Sequence, residues 1–507
     1  MSSTPEFQNI CFNSNGIKDS TILDAVCQTG IDVDSIKKVL SVFATSKPTN
    51  LSVQNGKLLV AIKTSVYVCY VDSQDVLRKK ECASTSQATF SLAQETDVKY
   101  IYASTIVEGV EYDNSGLNLS VTARVKVQYT LARNEQINAL TGGENLVCVY
   151  REQNLVKCLG VKEGTYPIEE QFELPNVIKE VLHHDATCQI TDVQCGVGRV
   201  IVDGNLVFSL IALQNEQNSS IIKEVRSIPF RMEVEFDEAM PTMSAILCAT
   251  RQAVKTDIEV VEEQLKCTVK ITSNLTFTVA LYEEQTISFT KDAFSKQNHL
   301  QLECDKKCFY TPLPTIYANE SITVRALVDE LPIGVSLLAL SCERARVTNF
   351  NKLEDGLVVD GVLECVAYFS DAEKAIFAKT IQGAFSKKLN GVALGGDCDV
   401  EVCANVFGAN GKIVSAVELD VEAQLCLSIF ATRKCELNYI KDVKLGEEKP
   451  INTHSISVYI GLEGEELFSL SKRLNESPER VVETNKDLCF PLTGKERIVI
   501  FRQLESK

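Results

Sequence analysis

The sequence predicts a mainly β protein: three tandem β-sandwich or barrel-like repeat domains and a small C-terminal α+β unit ordered strand, helix, helix, strand. Two observations carry this. The chain repeats itself, since Ile36-Lys37-Lys38-Val39-Leu40 matches Ile178-Lys179-Glu180-Val181-Leu182 at an offset of 142, as do Ala44-Thr45 and Ala186-Thr187, Gly56 and Gly198, and Val60 and Val202. An offset of 157 then pairs Leu174-Pro175 with Leu331-Pro332 and Val202-Asp203-Gly204 with Val359-Asp360-Gly361. Each copy also carries long period-two alternation, which places one face of a strand in a core and the other in water.

In chain order, residues 1–33 form an N-terminal segment; weak helical stretches are read at Thr21–Thr29 within it and at Asp34–Phe43 just after it. The repeats follow at 34–173, 174–330 and 331–443. Each opens on an apolar strand (Gly56–Tyr70, Val200–Leu213, Leu357–Phe369) that leads through a polar turn to a landmark phenylalanine, Phe90, Phe230 or Phe385. A long alternating strand comes next. In copy one it is Leu117, Leu119, Val121, Ala123, Val125 and Val127; in copy two Leu265, Cys267, Val269 and Ile271; in copy three Val417, Leu419, Val421, Ala423, Leu425 and Leu427. Antiparallel sheets fit this pattern. Short strands such as Ile322–Leu327 are read as bridges between copies, and residues 444–452, with Glu447-Glu448-Lys449-Pro450, as the linker to the last unit, 453–507.

In that last unit Ser455–Ile460 alternates as a strand does, and Leu467, Leu470 and Leu474 recur at helical spacing. Ser477-Pro478-Glu479 is a helix start, with a serine N-cap, proline at the first helical position and an acid near the positive helix end. Arg497–Phe501 is the final strand. The order Tyr459-Ile460, Gly464-Glu465, Leu467, Ser471-Lys472, Ser477-Pro478-Glu479, Asn485, Ile498-Val499-Ile500 resembles a LysM module, with Phe468 where many LysM sequences have Trp. The resemblance implies a ligand surface between the loops Gly461–Leu467 and Asp487–Leu492, with Gly461, Gly464, Glu465, Leu467, Phe468, Asp487, Leu488 and Leu492 as candidate partner-binding residues.

Composition excludes some partners. A net charge of −17 over 507 residues, with no basic patch visible in the sequence to neutralise phosphates, argues against nucleic acid and against docking on an anionic membrane. No apolar run approaches a membrane helix, and Met1–Phe7 lacks the features of a signal peptide. The 19 cysteines are scattered, many in strand-like runs (Cys69, Cys267, Cys365, Cys426), as in a reducing cytosol. Cys304/Cys308 and Cys398/Cys403 lack zinc-ligand spacing, so neither metal nor cofactor is expected.

No catalytic residue is expected either. His183-His184 read as exposed polar residues that, in a strand, cannot both face one pocket. Asn410-Gly411 reads as a hairpin turn rather than a phosphate loop, Val197-Gly198-Arg199 and Thr141-Gly142-Gly143 as turns, and Glu259–Glu263 as a solvated face.

Leu174-Pro175, Ile178–Leu182, Gly198–Leu206 and Ile228-Pro229-Phe230 resemble the SPOCS domain of endospore-forming bacteria. Copy one has Ala88-Thr89-Phe90, and copy three Gly383-Ala384-Phe385, in place of Ile-Pro-Phe. Tandem SPOCS domains with a C-terminal LysM domain are the arrangement of a family of spore coat morphogenetic proteins. That resemblance implies a non-enzymatic role in the mother-cell cytosol, and LysM binding to the stage IV sporulation ATPase that polymerises on the forespore. A second reading is a cell-wall protein whose LysM holds peptidoglycan, and a third is an enzyme.

Overall fold

The computed structural model describes residues 4–13, 17–74, 77–92, 100–132, 134–174, 177–214, 221–247, 253–263, 266–392, 394–450 and 456–501. Strands dominate it. Grouped by their pairing, which departs from the boundaries 34–173, 174–330 and 331–443, the strands fall into three sets, and copy one comprises β1 (Thr4–Asn13), β2 (Ile17–Asp32), β3 (Ile36–Gln54), β4 (Lys57–Asp72), β5 (Leu77–Ser91), β6 (Tyr100–Asp113), β7 (Asn118–Ala132) and β8 (Asn134–Glu144). Copy two comprises β9 (Leu146–Leu174), β10 (Ile178–Gly196), β11 (Arg199–Gln214), β12 (Ile221–Glu235), β13 (Ser244–Leu247), β14 (Ala253–Glu263) and β15 (Lys266–Ser295). Copy three comprises β16 (Asn298–Pro312), β17 (Ile316–Leu327), β18 (Ser336–Lys352), β19 (Gly356–Ser370), β20 (Ile376–Asn390), β21 (Cys398–Ser415) and β22 (Glu418–Glu448).

Each copy holds the same antiparallel meander, β3-β4-β5, β10-β11-β12 and β18-β19-β20. Opposite it lies a long central strand with a neighbour on each side: β2-β7-β6 in copy one, β9-β15-β14 in copy two and β17-β22-β21 in copy three. The alternation reads out as expected. Leu119, Val121, Ala123, Val125 and Val127 of β7, and Leu419, Val421, Ala423, Leu425 and Leu427 of β22, all point into the core. Leu117 and Val417 depart from it: they sit just ahead of β7 and β22 and are 88% and 47% exposed. In copy three the two sheets join through Leu327↔Gln382, so seven strands curl into one sheet, a half-barrel around the copy's core.

The meanders also repeat their irregularities. The first strand slips register after Ile36, Val39 and Pro48 in copy one, and after Ile178, Val181 and Ile190 in copy two, at the 142-residue offset. Val347 of β18 matches Ile190 at the 157-residue offset. Each slip is a β-bulge, an extra residue that bends the strand and re-aims the side chains beyond it.

Several sequence expectations change. Thr21–Thr29 and Asp34–Phe43 are not helical. The first lies in β2, paired with β7, and the second is a single 3-10 turn, Val33–Ser35, leading into β3. Ala25, Cys27, Thr29 and Ile31 alternate into the core, so pairing outweighs a weak local helical tendency. Asn410-Gly411 is not a hairpin turn, because β21 runs through it with Gly411 opposite Val421; a Cβ on Gly411 would strike Leu340 Cδ1 at 2.3 Å. Thr141-Gly142-Gly143 lies within β8, beside a register slip in β1. Gly198 does turn, at φ +73°. Glu259–Glu263 lies on β14, but its side chains lie outside the described residues. Residues 444–448, read as linker, are the end of β22 paired with β16, and Ile322–Leu327 belongs to β17 within copy three.

Phe90 is not the counterpart of Phe230 and Phe385. Phe230 faces Gly204 across the β11–β12 pair and Phe385 faces Gly361 across β19–β20, while the matching pair in copy one is Ser86 opposite Ile62. Phe90 pairs with Leu58. The ring fills, over glycine, the volume that Ile62 fills for itself.

The copies close on one another. Leu40, Leu182 and Ala339, spaced 142 and 157 apart, meet in one core with Cys69, Ile211 and Tyr368, which have the same spacing. Equivalent residues meeting at one place means the three meanders are arranged about an approximate threefold axis. Beyond the meanders and their facing strands the chain extends as two-stranded ribbons, β1–β8, β9–β15 and β16–β22. The ribbons share a second core of Ile10, Phe12, Ile137, Leu155, Phe289, Phe309 and Leu437. Phe12 meets Phe309 edge-on at 6.1 Å, and Asn13 Nδ2 donates to Tyr310 O at 3.1 Å.

Candidate functional site

The tail folds as β23 (Ile456–Ile460), α1 (Leu467–Leu474), α2 (Pro478–Thr484) and β24 (Arg497–Phe501). Leu470 and Leu474 of α1 are buried with Val481, Leu492, Ile498 and Ile500, and Leu467 packs at the edge of that core. Ser477 stands at the N-cap of α2 with Pro478 behind it, but its hydroxyl makes no capping bond. Residues 451–455, including His454, lie outside the described residues.

The two loops implied as a ligand surface do come together. Gly461 N–H donates to Glu496 O at 2.9 Å, Gly464 N–H to Leu492 O at 2.8 Å, and Leu492 N–H to Glu465 O at 3.0 Å. These bonds leave the candidate residues unequal. Gly461 is buried, and a Cβ there would meet Leu492 Cδ1 at 2.7 Å. Leu492 belongs to the core, with Leu467 and Leu488 packed against it. The Glu465 carboxylate is held by Arg473 Nη2 at 2.7 Å and Nε at 2.8 Å, and accepts from Leu462 N–H at 3.1 Å. Those bonds keep its carboxyl below the usual range and fix it as a brace. Gly464 and Asp487 alone of the eight are exposed.

Phe468 is committed elsewhere. Its ring meets Phe294 near the end of β15 edge-on at 5.6 Å. Around that contact Lys472 pairs with Asp292 at 2.7 Å, Glu476 with Lys296 at 2.7 Å, and Asn475 Nδ2 donates to Lys296 O at 2.7 Å. Lys449 Nζ reaches Asn475 Oδ1 at 2.8 Å and lies over the Phe294 ring. The tail is thus docked through α1 on the tip of the copy-two ribbon. Phe468→Ala with Glu476→Gln removes an edge-to-face contact and an ion pair, together about 2 kcal/mol. Hydrogen exchange at Asp292–Ser295 is expected to quicken by about thirtyfold while the amides of α2 keep their protection.

Among the described residues, the face left open is the outer side of the β23–β24 sheet. Ile456, Val458 and Ile460 alternate outward, flanked by Leu462 and Phe501, and all five are half or more exposed, Ile460 by 65%. The same alternation predicts the strand, but sequence alone does not show that the inward set, with Tyr459, already completes the core.

No protein-family model and no curated protein matches this chain.

A cavity of about 1420 Å³ is lined by the bulged strands of the three meanders and their neighbours. Both His183 and His184 line it, against the expectation: the slip after Val181 turns His183 inward beside Leu182, and His184 follows in regular register at the cavity's border. His183 is 4% exposed, with Phe43 of copy one edge-on at 5.0 Å. Burial, with Lys79, His184 and Lys223 nearby, pushes its imidazole down to about 3, so it is neutral at physiological pH. Lys79 Nζ lies 3.4 Å from His184 Nδ1. Among the described residues no group of three or more His, Cys, Asp or Glu is arranged to hold a metal ion, and no helix is long and apolar enough to cross a membrane.

Proposed function

We propose that this chain is a non-enzymatic adaptor for spore coat assembly of the SipL-like morphogenetic kind, with tandem SPOCS-like copies and a LysM-like tail. It would work in the mother-cell cytosol at the forespore surface and bind the stage IV sporulation ATPase through the tail. The observation that carries this is the tail's surface. Its Glu465 and Phe468 are used internally, while the strip Ile456-Val458-Ile460-Leu462-Phe501 is left apolar and open. A sugar site presents a few polar groups at fixed positions around a stacking ring; a strip of aliphatic side chains suits protein packing. The tail is docked on the copy-two ribbon, so the strip is held at one place, and further contacts from the three copies would add avidity on a polymeric partner.

The test is a pull-down from sporulating-cell lysate with the full chain, with a chain cut at Pro450, and with Val458→Asp/Ile460→Asp. The ATPase is expected with the full chain and to be lost with both others, the double variant keeping its thermal transition. Retention on sedimented peptidoglycan by all but the truncated chain, with no ATPase captured, would transfer the reading to a cell-wall binder.

A further inference from the structure

The third meander carries two thiols where the others carry none. Cys342 and Cys365 face each other across β18–β19, with their sulfurs 2.7 Å apart. The matching cross-strand pairs are Ala44 with Val66 and Ala186 with Phe208, so the fold at this position needs apolar side chains but not sulfur. The setting is also unusual. Cys342 is half-buried and lines the cavity, whereas Cys365 is enclosed in the core of copy three. Lys223 of copy two reaches over to donate to Ala409 O, and its ammonium is in electrostatic reach of both sulfurs. Two residues beyond Cys342, Arg344 pairs with Glu364 and donates to Val107 O of copy one at 2.6 Å. The thiols therefore lie where the three copies converge.

We propose that Cys342 and Cys365 form an oxidisable dithiol, a modification site opening on the central cavity. The oxidant class is a small disulfide, RSSR, of a size that the cavity admits. The Cys342 thiolate attacks one sulfur of RSSR, forming a mixed disulfide and releasing one RS⁻, which takes up a proton. Cys365 then loses its proton and attacks Cys342 Sγ; the new S–S bond forms and the second RS⁻ leaves, protonated to RSH. Two protein thiols are oxidised and one RSSR is reduced to two RSH. The sulfurs need to approach by less than an ångström to reach the ordinary bond length of about 2.05 Å, so the meander keeps its shape. The bond would staple β18 to β19 beside Arg344, fixing the strand that reaches copy one.

The experiment is incubation of the full-length chain with oxidised glutathione at neutral pH, alkylation in denaturant and non-reducing peptide mapping by mass spectrometry. A Cys342–Cys365 linked peptide is expected to accumulate about tenfold faster than any other linked pair, and to vanish on adding dithiothreitol. In Cys365→Ser, glutathione is expected to remain as a mixed disulfide on Cys342. Glutathione confined to the exposed Cys304 and Cys489, with Cys342 still open to alkylation, would overturn the proposal. So would linked peptides joining other cysteines at a comparable rate. The wild-type map decides between these results even if the variant does not fold.

Discussion

Gly361→Ile is expected to lose several kcal/mol of stability, enough to deplete the folded chain. Even the first added carbon would lie 2.3 Å from Phe385 Cζ and 2.6 Å from Arg346 O. The ring can turn aside only by leaving its rotamer, and the carbonyl belongs to a paired strand. Overpacking of this kind costs about 1–3 kcal/mol for a modest insertion, and more when backbone is struck. Copy one supplies the compensation, since it places Ile62 opposite Ser86 at the same register. Gly361→Ile/Phe385→Ser is therefore expected to regain a substantial part of the loss. Gly408→Ala, with nothing within 4 Å of its added carbon, is expected to change stability by less than about 1 kcal/mol. Urea midpoints of the three variants measure this. Equal losses for the single and double variants at Gly361 would show that the copies do not share this packing rule.

Lowering the pH from 6.5 to 5 is expected to cost the wild-type chain about 2 kcal/mol through His183 alone, at about 1.4 kcal/mol per pH unit. The sign follows from the imidazole's place. Folded, it resists protonation down to about 3; unfolded, it accepts a proton near its ordinary 6.5. The unfolded chain thus binds more protons between those values. His183 contributes its full stability above 6.5 and loses it as the pH falls toward 3. Lys79 and Lys223 reinforce this, because a charged imidazole would be a further cation among them. The chain's many carboxylates titrate in the same range, so the comparison is with His183→Gln. The variant is expected to show a shallower fall in unfolding free energy between pH 6.5 and 5, by about the same 2 kcal/mol. Parallel curves would exclude the buried imidazole as the source.

Both effects rest on features that the sequence conveys only in part. The offsets of 142 and 157 align the meanders, and period-two runs such as Leu419–Leu427 locate the central strands. The tail's four elements follow from Leu467, Leu470, Leu474 and Pro478. What local pattern does not carry is where one strand slips against another. The bulge after Val181 leaves no compositional mark, yet it turns His183 inward. Register also separates Phe90 from Phe230, although each closes a similar apolar run. The unequal roles of the tail's candidate residues have a related cause. Phe468 takes its role from Phe294, 174 residues earlier, on a ribbon tip that no nearby residue announces.

The shared ribbon core has a consequence for how the chain comes to be made. Phe12 leaves the ribosome well before its partner Phe309, which follows nearly 300 positions later. Leu437, in the same core, comes later still. Each ribbon can zip up once its own copy is complete, but its apolar side must wait for the other two. During synthesis, Phe12 and Ile137, then Leu155 and Phe289, stand as sticky surfaces awaiting the third ribbon. Contacts so distant along the chain close slowly. The nascent protein is thus a natural client for holding chaperones until residue 437 emerges, and a polypeptide terminated within copy three is expected to accumulate as aggregate rather than as a smaller native unit.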